Sequence, residues 1–493
     1  MRFDIRKSVK DKYTRYALMI ILAAIVIRFA LAVISAVSGD ACWHLSASRF
    51  IGRDLSIPLF EPLGRSVFWA PPLFHLFTAA SYLSFNWLIS DISLKLISPI
   101  FGSLFLLYSF LLVKKLFNSK TAFYSTVFLA FIPGHMYESS IGYVDTTLAF
   151  FVLASIYYML EDRLILSSAL AGLALLAKVS AFFMLPVILY IIFTKTRKDF
   201  LKKSAIFIIV AFAIASPWYL RDWMYLGNPI WPYFNNLFGG YQDFSTSELG
   251  FGQLNADISS LSTSFYLSLF GVPNGNIDNL TILNPYMALI WLAATAVFFF
   301  FFLVGLRNVK RSFGFDVINI LLISFLIFNL LISFTINLFI IRYILPAMTF
   351  FAVYWALGIE RFVNKRTVVA LIAISAIIFV SGEFGKAFVA NDMWNKYEDD
   401  FNWIKSNTEK DAVFLTPNSQ CNSYKFDRYA YSIVFFEFIN KTTAEDFIDY
   451  NISYVFYPEN SDMVISKFDK DVPLDGTLVY ENKNTKIKIY RIA

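Results

Sequence analysis

Long apolar runs divide this chain, and they constrain its fold more than any other feature. Tyr16 to Val37 and Met287 to Leu306 are each long enough to cross a hydrocarbon core, which takes about 20 residues at about 1.5 Å of rise per residue. Neither run contains a proline. With 57% hydrophobic and 16% charged residues and 55 Phe among 493 positions, the chain is far more apolar than a soluble domain. The first run follows a basic stretch holding Arg2, Arg6, Lys7, Lys10, Lys12 and Arg15. A secretory h-region is roughly 7–15 residues long, so this longer run reads as a retained anchor with its basic flank in the cytoplasm. The net charge of +6 then belongs to cytoplasmic loops and gives no reason to expect nucleic acid as a partner.

Basic residues cluster between the apolar runs: Lys114, Lys115 and Lys120; Lys195 to Lys203; Arg307 to Arg311; and Arg361 to Arg366. All are expected on the cytoplasmic side. Spans over 17–37, 92–113, 121–137, 146–160, 164–180, 182–194, 204–218, 285–306, 316–335, 342–358 and 367–383, about eleven in all, satisfy that rule. They do so only if Pro72 to Ile89 does not cross. That stretch opens on Pro71-Pro72 and carries His75, Asn86 and several hydroxyls, which suits an interfacial or re-entrant helix. The sequons at Asn279, Asn440 and Asn451 all fall on the outer side of this scheme. From residue 384 the composition turns mixed polar with short β-like runs at 412–416, 452–457, 477–480 and 485–490 and a hairpin turn at 481–484. The expected organisation is therefore a polytopic α-helical membrane domain, 1–383, and a small extracytoplasmic α/β domain, 384–493, with the N-terminus cytoplasmic.

The outer loops carry the chemistry. Asp40 stands at the mouth of the first span, with Cys42, Trp43 and His44 after it and Phe68-Trp69-Ala70-Pro71-Pro72 closing the loop. A carboxylate beside low-dielectric lipid gains basicity and suits a general base, although the same Asp also suits a helix cap. Gly142-Tyr143-Val144-Asp145 brings a second carboxylate to the same face, again either a cap or a group that holds an acceptor hydroxyl or a divalent ion. Lys178 lies inside an apolar run and Arg342 and Lys95 at the outer ends of spans. Buried cations usually face a cavity or partner, so these can hold a lipid-linked phosphate or else snorkel to headgroups. Arg221, in the aromatic stretch Pro217 to Trp223, is a further phosphate candidate beside an aromatic belt or sugar-stacking surface. Arg28, within the first span, reads as a structural partner to another helix. Cys42 and Cys421 are the two cysteines; they either pair in an oxidising compartment or remain two thiols, and no spacing signals a zinc or redox site.

In order, Asp40 after the first span, Pro71-Pro72-Leu73 with Asp145 beyond it, Leu170 to Ser180 with its lysine, and Arg342-Tyr343-Ile344-Leu345-Pro346 resemble the GT-C glycosyltransferases. The likeness is to their protein O-mannosyltransferase and aminoarabinose-transferase-like branch, and it covers the whole membrane part. It implies a polyprenyl- or dolichyl-phosphate sugar donor carrying mannose or another hexose or pentose, an acceptor hydroxyl on protein, glycan or lipid, and inversion without a cofactor. On that resemblance Asp40 is the base, Asp145 orients acceptor or base, Lys178, Arg342, Lys95 and Arg221 contact donor phosphate, and His44 and Tyr143 give support. The first loop departs from the branch, reading Asp40-Ala41-Cys42-Trp43-His44 where an Asp-Glu pair is common. His44 then replaces the missing carboxylate or joins Asp40 at a metal. Oligosaccharyltransferase, a relative that uses a divalent ion, is set apart because no Trp-Trp-Asp occurs in the chain. The competing class is a multi-span transporter or lipid-linked-sugar flippase, which usually shows paired interrupted helices in two halves. None is evident, and a terminal outer domain suits an enzyme better.

Overall fold

Backbone polar groups in lipid must be satisfied within their own segment, so long apolar runs become helices. The computed structural model describes residues 11–59, 67–242, 269, 285–307, 309, 311–336, 341–362, 364, 366–433, 449–458 and 476–492. The helices are α1 Lys12–Ile34, α2 Asp40–Asp54, α3 Leu73–Ile89, α4 Ile97–Leu116, α5 Ser119–Phe131, α6 Pro133–Glu138, α7 Asp145–Leu160, α8 Leu164–Ala177, α9 Leu185–Lys195 and α10 Phe200–Leu226. After them come α11 Pro285–Leu306, α12 Phe313–Ile336, α13 Met348–Ile359, α14 Arg366–Asn395, α15 Glu398–Asn407 and α16 Ser419–Phe426. Among the described residues seven helical segments, containing α1, α4, α10, α11, α12, α13 and α14, are long and apolar enough to cross a membrane. The shorter α5, α7, α8 and α9 pack between them.

The two ends of this bundle differ in chemistry. At one end Lys114 donates to Thr14 Oγ1 (2.8 Å), Lys115 pairs with Glu161 (2.7 Å), Lys120 with Glu360 (3.4 Å) and Lys195 with Asp162 (2.6 Å). At the other, Lys95 Nζ donates to the Ser35 carbonyl (2.7 Å). Helices α1 and α4 thus share both ends and run antiparallel. The segment between them, α2 and α3, therefore starts and finishes at the same end, the arrangement expected of a Leu73–Ile89 that does not cross. It packs on α2 instead. Buried Arg28 bridges helices as expected, donating to the Leu129 and Ala130 carbonyls, both at 3.2 Å, and meeting His135 Nδ1 at 2.6 Å.

Beyond α14 a five-stranded sheet forms from β1 Val413–Thr416, β2 Tyr429–Ser432, β3 Ile452–Pro458, β4 Thr477–Asn482 and β5 Ile487–Arg491, in the order β2-β1-β3-β5-β4. β1 runs parallel to β2 and β3, while β5 lies antiparallel between β3 and β4, which makes the expected terminal hairpin. Phe401, Ile404, Phe414, Phe426, Phe456 and Ile489 form its core. Cys42 and Cys421 are disulfide-bonded, joining α2 to α16 across 379 positions. Arg49 reinforces the same junction, donating to the Tyr424 carbonyl (3.0 Å) and pairing with Asp427 (3.1 Å) and Asp91 (2.9 Å).

Two boundaries differ from the sequence reading. Helix α14 continues unbroken past residue 384 to Asn395, and the sheet domain's own core starts at Tyr397. The aromatic stretch around Pro217, expected as a loop, is helical to Leu226 and ends on Gly227 at φ 71°; Trp218 and Asp222, four residues apart, bury one face of that last stretch. Asn451 lies in the turn before β3, and the sequons at Asn279 and Asn440 fall outside the described residues.

Candidate active site

Three chain breaks place the polar groups at the end of the bundle beside the sheet domain. Gly39, at φ 58°, turns the chain so that Asp40 begins α2. A side chain at that φ is strained, which is the reason for glycine there. Asp145 begins α7. Lys178 is not inside a continuous span: α8 stops at Ala177, Lys178 is extended, and a tighter turn over Val179–Met184 follows. The break turns its ammonium toward Asp145, where Nζ donates to Oδ1 at 2.6 Å.

Arg342, at the start of the turn Ile341–Ala347, forms the second pair and donates from Nη2 to Asp40 Oδ2 at 2.6 Å. Its guanidinium lies 4.5 Å from the Tyr143 ring centre and 5.6 Å from that of Tyr343; Lys178 lies 4.5 Å from the Tyr343 ring. Tyr343 therefore sits between two cations, each also held by a carboxylate. Such charge-assisted contacts fix the geometry of both pairs.

These four charged groups line a cavity of about 300 Å³ with His44, Trp43, Trp69, Trp218, Trp231 and Asp222. His44 Nδ1 and His75 Nε2 share a hydrogen bond of 2.9 Å, and Phe68 and Trp43 pack edge-on against His75. Trp69 meets Trp231 and Tyr233 edge-to-face at 6.4 and 6.0 Å. Flat aromatic walls beside charges suit a ring with one apolar face and several hydroxyls.

The structure therefore gathers Asp40, Asp145, Lys178, Arg342 and His44 at one cavity, with Tyr143 behind Arg342. Two expected phosphate contacts lie elsewhere. Lys95 is turned to the Ser35 carbonyl and lines a different cavity. Arg221 donates to the Phe68 and Pro58 carbonyls at 3.1 and 2.9 Å and pairs with Asp222 at 2.7 Å, so it braces the wall. Backbone carbonyl oxygens engage both of them at hydrogen-bond distance.

Three participants were not singled out from sequence. His75 was noticed only as a polar residue on an interfacial helix. Asp222 shares a helix face with Trp218, a spacing visible in sequence once the segment is read as helix. Glu138 closes α6, beyond the end of α5; it is 6% exposed, and among the described residues its Oε2 has no hydrogen-bond partner. Burial pushes its carboxyl up to about 8, with Arg342 acting in the opposite sense. Asp40 is engaged by Arg342 and His44 by His75, and among the described residues no three His, Cys, Asp or Glu converge as metal ligands would.

Residues 70–220 match the family described as dolichyl-phosphate-mannose-protein mannosyltransferase. The structure is similar to ArnT from Cupriavidus metallidurans bound to undecaprenyl phosphate, with a TM-score of 0.65 and 12% identity over 97% of this chain and 98% of that one. It is similar to the archaeal oligosaccharyltransferase AglB from Archaeoglobus fulgidus, in complex with an inhibitory peptide and a dolichol-phosphate: TM-score 0.53, 13% identity, 90% of this chain and 70% of that one. The mycobacterial arabinofuranosyltransferase AftD matches at TM-score 0.56 and 12% identity over 96% of this chain and 40% of its own. At these identities the likeness is one of fold. No curated protein is detectably similar in sequence.

Proposed function

We infer that this chain is a glycosyltransferase of the GT-C type and transfers a sugar from a polyprenyl- or dolichyl-phosphate carrier to an acceptor hydroxyl, with inversion at the anomeric carbon. The observation that carries this reading is the double ion pair Asp40–Arg342 and Asp145–Lys178 beside an aromatic-walled cavity. A lipid phosphate needs cations at the membrane surface, and an alcohol acceptor needs a base. The ArnT and AglB structures hold undecaprenyl phosphate and a dolichol-phosphate, and a carrier of that chemistry is the one assigned here.

In the reaction the acceptor oxygen bonds to the anomeric carbon as its proton passes to the Asp40 carboxylate. The bond from the anomeric carbon to the phosphate oxygen breaks on the opposite face. Lys178 and Arg342 then hold the charge that develops on the departing lipid phosphate. Without donor, Arg342 occupies Asp40 Oδ2. An incoming phosphate draws Arg342 into a second contact, which frees Asp40 Oδ2 to take the acceptor's proton. Asp145 keeps Lys178 aimed, Tyr143 supports Arg342 from behind, and His44 with His75 borders the acceptor side.

The basic end of the bundle is assigned to the cytoplasm and the site, with the sheet domain, to the opposite face. The disulfide at that end supports the assignment, since such bonds persist in oxidising compartments. The test is incubation of the purified protein with undecaprenyl- and dolichyl-phosphate sugars and protein, glycan or lipid acceptors, with the product anomer read by NMR. The expected result is an inverted product, and Lys178→Gln raises the donor concentration needed by about tenfold, one lost charge-assisted contact. A retained anomer, or movement of the lipid-linked sugar across vesicles without transfer, contradicts the reading.

A further inference from the structure

A second cavity, of about 230 Å³, lies apart from the candidate active site where the bundle meets the sheet domain. Its walls come from the end of α1, the turn before α4, the end of α14, and helices α15 and α16. Lys95, Lys405 and Lys425 all line it. Lys95 is 8% exposed and its ammonium meets the Ser35 carbonyl, while Lys425 Nζ lies 5.1 Å from the Trp394 ring centre. Among the described residues none of the three amines forms an ion pair.

Two carboxylates line the same cavity, and they do not cancel three ammonium groups. Asp91 is engaged by Arg49 at 2.9 Å, and Glu398 is exposed on the first turn of α15. Burial first, and then Lys405, hold the Lys425 amine below its ordinary range, with Asp91 and Glu398 acting in the opposite sense. Like charges gathered in a half-closed pocket repel until an anion enters.

The level of the cavity narrows the anion. Ser35 follows the last residue of the first crossing helix, and Lys95 stands where α4 begins, so the pocket opens where the bundle leaves the apolar layer. Nearby surfaces present apolar side chains outward: Phe85, Trp87 and Leu88 on α3, and Phe388, Val389 and Met393 on α14. A phosphate with acyl chains meets cations and apolar surface together.

We propose that this cavity binds a phosphate group, as borne on the headgroup of an anionic membrane lipid, through Lys95, Lys405 and Lys425. None of the three lines the candidate active site, and the site is independent of the transfer chemistry. A headgroup bound there ties the sheet domain to the bundle by contacting both.

The experiment uses the full-length protein in neutral detergent, titrated with short-chain phosphatidylglycerol, phosphatidylcholine or inorganic phosphate while the melting temperature is read. Phosphatidylglycerol should raise it saturably and phosphatidylcholine should not. Lys405→Gln with Lys425→Gln should raise the half-saturating concentration about tenfold or more, while the exposed Lys396→Gln leaves it unchanged. Should the double variant fold poorly, Lys405→Gln alone, at an exposed position, must still weaken the response several-fold. If inorganic phosphate alone reproduces the shift and the variants lose it, the same cations bind free phosphate. Equal shifts in wild type and variants, or no shift with either phosphate compound, overturn the proposal.

Discussion

Asp40 and Asp145 are each held at 2.6 Å by a cation, so the candidate site contains two opposite charge pairs in contact, with the buried carboxyl of Glu138 adjoining them. Arg342, Asp145, Lys178 and Asp40 all act on that carboxyl, though less than burial, which raises it from 4.5 to about 8. Between those pH values the folded protein keeps a proton that the unfolded chain gives up. Stability should therefore fall as pH rises from 4.5 to about 8 and level off above it. Glu138→Gln should flatten that slope; melting temperatures at pH 5 and 8 check it, and a slope unchanged in the variant contradicts it. Asp40, Asp145, Lys178 and Arg342 were legible in sequence because charge at the edge of lipid is costly and rarely kept without use. Their pairing was not, since Arg342 and Asp40 are 302 positions apart. Lys95 and Arg221 gave the same signal, but the structure turns them to backbone carbonyls away from that cavity, and such contacts leave no trace in composition.

At the scale of elements, the alternation of helices that delivers all these groups to one end depends on close crossings. Helices α11 and α13 meet through Gly305 and Gly358: a Cβ on Gly358 would lie 1.8 Å from the Phe301 carbonyl oxygen, and one on Gly305 1.7 Å from that of Tyr354. Small residues let membrane helices approach in this way. Gly358→Ala should force the pair apart at a cost of about 1–3 kcal/mol, seen as a lower melting temperature, whereas an unchanged one would mean that the crossing is looser than described. That α2 and α3 begin and finish at one end was legible from parity, because each basic cluster had to stay on one side. The continuation of α10 past Pro217 was not: proline reads as a stop, and the burial of Trp218 and Asp222 that keeps the last turns helical is a tertiary effect. β2 was likewise missed, a four-residue strand defined by its parallel pairing with β1.

The whole molecule joins a membrane bundle to a sheet domain at the helix that begins with Asp40. The Cys42–Cys421 bond lies two residues from that aspartate, Phe50 stacks on Tyr429 at 4.4 Å, and Gln420 reaches the cavity lining. Sequence left open whether the two cysteines pair, since nothing local marks partners so far apart. With Cys42→Ser and Cys421→Ser together, Arg49 still holds the junction, so the protein should fold while transfer falls several-fold; transfer equal to wild type would separate the domain from the site. The central claim is that Asp40 acts as the base for attack on a lipid-phosphate sugar, and the most direct measurement is donor affinity and transfer rate on one preparation of Asp40→Asn. The account predicts donor binding within about threefold of wild type and transfer reduced by about 100-fold or more, the general-base contribution. Transfer near the wild-type rate in that variant would contradict it.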